Sequence, residues 1–181
     1  PIAPGELFIK QNWNPDVVVK VGALTGKLHN ASQKIEIAEF GRHLPVWHEM
    51  VYDQFIQHLP VSESKLLQRF MAILNDIKNL PVSKETYGII HNDILLGNLS
   101  MNNNGLTIYD FDDTCISWYV GDIAGIIYYS MLDDRKNLTN NNDYIPHFMN
   151  CFWKGYNAHF SLGEQMTQLL PNFLALRAIY I

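Results

Sequence analysis

The polar residues best suited to chemistry collect in one short stretch of the sequence. His91, Asp93 and Asn98 lie directly after an apolar, β-branched segment. Three further acids follow a second apolar segment, at Asp110, Asp112 and Asp113. Carboxylates held close together repel one another unless a cation or a proton lies among them. Because carboxylate and amide oxygens are hard donors, this group of side chains favours magnesium over zinc.

Phosphoryl transfer requires such a set of side chains. One acid must orient the attacking hydroxyl and accept its proton, while metal ions neutralise the charge of the phosphate oxygens. Asp93 fits the role of the base, and Asn98 and Asp110 fit the role of metal ligands. Gly97 allows the backbone to turn so that Asn98 points back toward Asp110.

Short strands must position these residues. The segment 86–91 (TYGIIH) has the apolar, β-branched character of a strand. Two further segments, 99–101 (LSM) and 106–111 (LTIYDF), flank an asparagine-rich stretch that ends at Gly105, which predicts a β-hairpin. Since a hairpin brings its two ends together, we expect Asp93, Asn98 and Asp110 to share one small volume.

Helical patterns dominate the rest of the chain. Asn14, Pro15 and Asp16 form a helix start, and apolar residues then recur at helical spacing to about residue 30. A second long helix is predicted from Ser62 to a stop before Pro81. The remaining expectations are short helices and loop over 35–60, a helix after Gly121, a surface loop over 133–143, and helices near 144–159 and 163–181. The predicted fold class is therefore α+β, mainly helical, with one small central β-hairpin.

Composition excludes several classes of protein. The 181 residues are enough for one domain with a core, and the formal charge of -5 provides no basic stripe for nucleic acid. No apolar run approaches the ~20 residues that a membrane helix needs, and the first residues do not resemble a signal peptide. Cys115 and Cys151 are expected to be buried thiols. We therefore expect a cytoplasmic protein with no nucleic-acid or membrane partner; the oligomeric state is not readable.

The motif HNDILLGN (91–98) followed by IYDFDD (108–113) resembles the His-x-Asp-x-x-x-x-Asn and hydrophobic-Asp-Phe motifs of the aminoglycoside phosphotransferase and choline kinase family. Members of this family are similar in fold to protein kinases. Three further segments look like family features: LTGKLHN (24–30), WYVGDIA (118–124) and LPNFLALRAIY (170–180). The resemblance covers most of the chain from about residue 14 onward.

This resemblance implies a role for each residue of the motifs. Asp93 would be the catalytic base, with Asn98 and Asp110 as the magnesium ligands. His91 would brace the backbone of the loop, and Asp122 would likewise hold the loop rather than touch substrate. The family also implies ATP as the phosphoryl donor and a small hydroxyl-bearing molecule as the acceptor. Among the acids that follow, Asp112 is a possible second metal ligand.

The sequence departs from kinases of this shape in its N-terminal part. Such enzymes carry an upstream lobe with a Gly-rich loop and a lysine for the nucleotide phosphates, whereas no G-x-G-x-x-G motif occurs in this chain. We therefore expect residues 1–13 to be a remnant of the connection between lobes, and residues 14–181 to be the C-terminal catalytic lobe. As a fragment it should bind ATP weakly and turn over little.

Several alternatives stay open at the level of sequence. The chain could be a non-catalytic, pseudokinase-like module that binds a ligand or a protein, although such a module has no chemical need for all three motif residues. A protein kinase is disfavoured because YVGDIAGII (119–127) follows Asp110 too soon to leave room for an activation loop. The acceptor-binding residues are unknown, and fold does not decide the acceptor. Arg177, on an apolar helix, could pair with a substrate anion or with an internal acid.

Overall fold

The structure is a computed structural model that describes residues 6–7, 13–40, 43–58, 64–103, 105–133 and 143–180. Most of the predicted surface loop, the predicted helix start at Ser62 and most of the N-terminal 13 residues lie outside these ranges. The described helices, in chain order, are α1 (Pro15–Ser32), α2 (Ile37–Phe40), α3 (Trp47–His58), α4 (Ser64–Lys78), α5 (Val120–Asp133), α6 (Tyr144–Tyr156), α7 (Glu164–Thr167) and α8 (Leu170–Tyr180). The described strands are β1 (Glu6–Leu7), β2 (Tyr87–Ile90), β3 (Leu99–Asn102), β4 (Gly105–Ile108) and β5 (Cys115–Trp118). The mainly helical α+β class is confirmed.

Local sequence explains where the first helix begins. The Asn14 side chain accepts a hydrogen bond from the backbone N–H of Val17 at 3.1 Å, and Pro15 occupies the first helical position. Proline lacks an N–H that the first turn would leave unpaired in any case. The predicted start of α1 is therefore confirmed.

The strands form two small antiparallel sheets instead of the one hairpin predicted. The predicted hairpin is present as β3 and β4, with Leu99 opposite Ile108, and β1 extends it to a sheet of order β1-β3-β4. The second sheet pairs β2 with β5, so that Ile90 lies opposite Cys115. The β3–β4 hairpin is thus inserted between two strands that pair with each other. This pairing brings the residues that follow β2 close to those that precede β5.

The helical core surrounds α5, which is buried along residues 120–127. Helix α8 packs on α5, and α1 packs on α6. Trp47 and Trp118 both contribute buried side chains to this core. The two free cysteines differ: Cys115 is buried, as expected, whereas Cys151 is partly exposed. Among the described helices, none has the length and apolar character to cross a membrane.

Glycines allow α1 and α6 to approach each other closely. A Cβ atom at Gly155 would overlap the backbone carbonyl of Val19, and one at Gly22 would overlap the carbonyl of Phe152. Neither obstacle is the end of a flexible side chain, so the two helices would have to separate to admit a methyl group. The α1–α6 contact therefore depends on glycine at both positions.

We expect Gly155→Ala to lower the free energy of unfolding by about 1–3 kcal/mol, because overpacking against backbone cannot relax locally. Gly163→Ala is the matched control, since nothing lies within 4 Å of a Cβ at that position. Urea unfolding of both variants measures the difference. Equal stability of the two variants would contradict the close contact between α1 and α6.

Candidate active site

The loop that follows β2 is held by one buried carboxylate. Asp122, in the first turn of α5, is only 2% exposed. Its Oδ2 accepts a hydrogen bond from the backbone N–H of His91 at 3.1 Å, and its Oδ1 accepts one from the N–H of Asn92 at 2.6 Å. Both oxygens are thus used to fix two consecutive peptide groups. Asp122 holds the loop from inside the protein and does not line an open surface.

His29, at the end of α1, supports this carboxylate from behind. Its Nε2 lies 3.1 Å from Asp122 Oδ2, and its Nδ1 lies 2.8 Å from the hydroxyl of Tyr156. An ionised carboxylate only accepts hydrogen bonds, so Nε2 is the nitrogen that donates. Burial alone would raise the pKa of Asp122, but the hydrogen bond and charge of His29, the nearby His91 and the N–H of Asn92 hold that pKa below its ordinary value.

His91 joins the two sides of the loop through backbone groups. Its Nδ1 accepts a hydrogen bond from the N–H of Asp93 at 3.3 Å, and its Nε2 lies 3.2 Å from the carbonyl oxygen of Tyr109. Since a carbonyl oxygen only accepts, Nε2 carries the proton. The ring therefore links the backbone before Asp93 to the backbone before Asp110.

Asp93 and Asn98 are in direct contact. The Nδ2 atom of Asn98 donates to the Asp93 carboxylate oxygen Oδ2 at 2.8 Å and to the Asp93 carbonyl oxygen at 3.0 Å. The Tyr109 hydroxyl closes the turn by donating to the carbonyl oxygen of Gly97 at 2.6 Å. Because the amide nitrogen of Asn98 faces the carboxylate, its Oδ1 is directed away from Asp93.

Asp110 follows β4 and is exposed, as are Asp112 and Asp113. Its backbone lies in the left-handed region with φ 65°, which is uncommon for a residue other than glycine. The backbone N–H of Tyr109 donates to the carbonyl oxygen of Asn98 at 3.1 Å, so Asp110 leaves the hairpin beside Asn98. The hairpin therefore brings the chain segments of Asp93, Asn98 and Asp110 together.

The described residues contain no cluster of three or more His, Cys, Asp or Glu side chains that could hold a metal ion. The oxygen donors on the chain segments that the hairpin brings together are the carboxylate of Asp110 and the amide Oδ1 of Asn98. Magnesium is bound in this way, by few protein oxygens, with water and substrate phosphates completing the coordination. The two residues thus fit that ion by their chemistry.

Sequence reasoning missed one residue that contacts Asp93. The Tyr129 hydroxyl donates to Asp93 Oδ1 at 2.8 Å. Tyr129 lies on α5 seven positions after Asp122, that is, about two turns further along the same face. The spacing places both side chains on one face of α5, but it does not by itself show that this face meets Asp93.

Arg177, on α8, was expected to pair either with a substrate anion or with an internal acid, and its contacts lie inside the protein. It is buried, with 6% of its surface exposed, and its Nη1 and Nη2 donate to the Oδ1 and the carbonyl oxygen of Asn92 at 3.1 and 2.9 Å. Its Nη2 also lies 3.9 Å from Asp93 Oδ1. These contacts bind Arg177 to the loop itself.

Comparison with known proteins identifies relatives over nearly the whole chain. Amicoumacin kinase of Bacillus subtilis (strain 168) is 27% identical over 186 aligned residues, covering 99% of this chain and 53% of the relative. The chain thus spans about half the length of the curated relative that it matches.

Solved structures show the same coverage. An amicoumacin kinase in complex with AMP-PNP, Ca²⁺ and Ami superposes with a TM-score of 0.88 at 25% identity, covering 99% of this chain and 54% of that structure. A microcompartment-associated aminopropanol kinase superposes with a TM-score of 0.71 at 25% identity, covering 99% and 56%. A choline/ethanolamine kinase family protein from Mesorhizobium loti, 13% identical with a TM-score of 0.64, shares the fold. The expected protein-kinase-like fold is confirmed.

The loop, the hairpin and the first part of α5 all lie within the segment that the model of one family matches, residues 2–145. That segment is most of the chain, and it contains Asp93, Asn98, Asp110 and Asp122. The chain therefore belongs to the phosphotransferase enzyme family.

Proposed function

We propose that this chain is the catalytic lobe of an enzyme that transfers the γ-phosphoryl group of ATP to a hydroxyl of a small molecule, with magnesium as the metal ion. The observation that carries the proposal is the contact between Asp93 and Asn98 on a loop fixed by Asp122. The relatives support it in two ways. They are named as kinases of small molecules, and one was solved with AMP-PNP and Ca²⁺.

In this proposal Asp93 orients the acceptor. Its carboxylate is partly exposed, with 20% of the side chain accessible, so a hydroxyl group of a bound molecule can reach it. The acceptor oxygen forms a bond to the γ-phosphorus as the bond to the bridging oxygen of ADP breaks. The hydroxyl proton passes to Asp93, which releases it after the phosphorylated product leaves.

Asn98 and Asp110 hold the metal ion in this proposal. Asn98 gives its Nδ2 to Asp93 and leaves its Oδ1 for coordination, while the exposed Asp110 carboxylate supplies negative charge. When bound, magnesium supplies charge compensation for the phosphate oxygens. Asp112 is the candidate for a second, weaker ligand because it lies two residues further along the same exposed turn.

We further propose that the nucleotide-clamping lobe lies outside this sequence, with residues 1–13 as its connection and 14–181 as the C-terminal lobe. Support comes from the share of the relatives that the chain covers, 53–56%. The pairing of β1 with β3 supports it as well, since it attaches the N-terminal segment to the active-site hairpin. By itself the fragment should then bind ATP weakly.

Asp93→Asn in the full-length protein should lower kcat by ~10²–10⁴, because the amide cannot accept the hydroxyl proton. Transfer from ATP with magnesium is measured on amicoumacin, aminopropanol and a pool of other hydroxyl compounds.

Asp76→Asn on the exposed face of α4 is the matched control and should behave like the wild-type protein. If wild type and Asp93→Asn transfer phosphate equally, Asp93 is not the base. If neither protein binds ATP, a non-catalytic binding module explains the chain better.

Asp110→Ala should reduce kcat at least as much as removal of the base does, ~10²–10⁴ or more, because charge compensation of the transition state is lost. The variant should also need a higher magnesium concentration for half-maximal rate. Asp112→Ala should shift this magnesium dependence less than Asp110→Ala, and a normal magnesium titration for Asp110→Ala would contradict its role as a ligand.

Asp122 supports the loop, and its contribution to stability depends on pH. Asp122→Asn should lower the free energy of unfolding by roughly 3 kcal/mol at pH 7, since an amide cannot accept from both N–H groups and His29.

The folded-state pKa of Asp122 lies below its unfolded value of about 3.9, so the carboxylate contributes its full stability above pH ~4 and loses it as the pH falls further. The stability difference between wild type and Asp122→Asn should therefore narrow below pH ~4 in urea unfolding series. A difference as large at pH 2.5 as at pH 7 would contradict the assigned ionised state.

A further inference from the structure

The turn immediately before Asp93 has an unusual backbone conformation that Arg177 holds from α8. Asn92 has φ 66°, in the left-handed region that L residues other than glycine rarely occupy. Asparagine tolerates this region better than most residues, but the conformation still persists only where its surroundings hold it. The guanidinium of Arg177 binds both the side-chain oxygen and the carbonyl oxygen of Asn92, at 3.1 and 2.9 Å. Arg177 thus holds Asn92, the residue that orients Asp93, in this conformation.

The same guanidinium also acts on Tyr129. Its Nη2 donates to the Tyr129 hydroxyl at 3.1 Å, and its central carbon lies 5.2 Å from the centre of the Tyr129 ring. Arginine carries donors only, so the hydroxyl oxygen of Tyr129 is the acceptor in this contact. The single hydroxyl proton is then directed to Asp93 Oδ1, 2.8 Å away.

The ionisation of Tyr129 agrees with this direction. Burial raises the pKa of Tyr129 above its ordinary value, and the positive charge of Arg177 offsets only part of that effect. The hydroxyl therefore keeps its proton at neutral pH and serves as a donor to Asp93.

The fold provides space for the guanidinium at one position of α5. A Cβ atom at Gly125 would lie 3.4 Å from the central guanidinium carbon of Arg177, so the glycine leaves the surface of α5 open at that point. Asn98 holds the other carboxylate oxygen of Asp93, at 2.8 Å. Both oxygens of the carboxylate are therefore fixed by donors from opposite sides, Tyr129 on one and Asn98 on the other.

We propose that Tyr129 and Arg177 are positioning residues for the phosphoryl transfer: the donor chain from Arg177 through Tyr129 fixes the plane of the Asp93 carboxylate. This inference rests on the proposed function, since it concerns the same base. With the plane fixed, the remaining lone pairs of the carboxylate already face the acceptor hydroxyl, and the carboxylate does not have to rotate into position. In this proposal the two residues act through Asp93 and not by binding nucleotide or acceptor, so their loss should lower kcat and leave the KM values for ATP and acceptor unchanged.

A purely structural role would give a different result. It would lower the melting temperature and the amount of folded enzyme, and it would act whether or not Asp93 is present. A positioning role acts through Asp93 and disappears when Asp93 is removed. The two roles are therefore separable by measuring each substitution in two backgrounds.

The experiment uses the full-length protein with Tyr129→Phe, which removes the hydroxyl and keeps the ring under Arg177. We expect kcat to fall ~10- to 100-fold, as for loss of one hydrogen bond to a charged group, with KM and melting temperature unchanged. Tyr128→Phe on the same helix is the matched control, and wild-type kcat is expected for it. In the Asp93→Ala background, Tyr129→Phe should have no further effect on the residual rate.

Arg177→Lys provides a second variant, because a lysine presents its charge at one point and cannot hold Asn92 and Tyr129 together. Its effect on kcat should be less than multiplicative with that of Tyr129→Phe, since both act on one carboxylate. Wild-type kcat in Tyr129→Phe, or an equal loss with and without Asp93, would overturn the positioning role while the phosphotransferase assignment stands. An undiminished rate in Asp93→Ala alone would overturn the positioning role together with the assignment of Asp93 as the base, whereas absence of transfer by the wild-type protein would overturn the proposed function itself.

Discussion

The site depends on one buried carboxylate whose two oxygens bind two consecutive backbone N–H groups. Asp122 accepts from His91 and Asn92, and His29 supports it from α1. A buried charge is costly unless it is paired and hydrogen-bonded, and here two of the contacts that satisfy the charge, those from His91 and Asn92, also fix the loop. The loop and the helical core therefore cannot move independently. The stability of the core and the geometry of the candidate base rest on the same group of hydrogen bonds.

The strand topology brings the other residues of the site close to this anchored loop. Strands β2 and β5 pair with each other, and the β3–β4 hairpin lies between them in sequence. The chain thus leaves the core at Ile90 and returns beside it at Cys115, so that everything between is folded over one small area. Within that area His91 connects the backbone at Asp93 to the backbone at Tyr109. Two short pairs of strands are sufficient to hold this region together, because each pair closes a loop whose other end is already fixed.

The C-terminal helix completes the arrangement from the far end of the chain. The Arg177 side chain packs over α5 at Gly125 and binds the turn that precedes Asp93. It also contacts Tyr129. A buried guanidinium needs several acceptors, and the strained turn at Asn92 presents two of them. The hydrogen bonds between Arg177 and Asn92 thus offset part of the cost of burying the charge and part of the cost of the left-handed turn. Packing of α8 on α5 is consequently coupled to the orientation of Asp93.

The sequence alone determined the features that depend on short-range order: the cap at Asn14, the β3–β4 hairpin, and the spacing that brings Asp93 to Asn98. Turn formation and helix capping depend on residues only a few positions apart, so a pattern in the sequence predicts them. Strand β5 was missed because all its residues are buried, and a short strand buried on both faces has no alternating pattern. Only the tertiary structure decided that Tyr129 contacts Asp93 and that Arg177 binds inside the protein. Both contacts join segments distant in the chain, and their distances are set by how α5 and α8 pack, which no local pattern encodes.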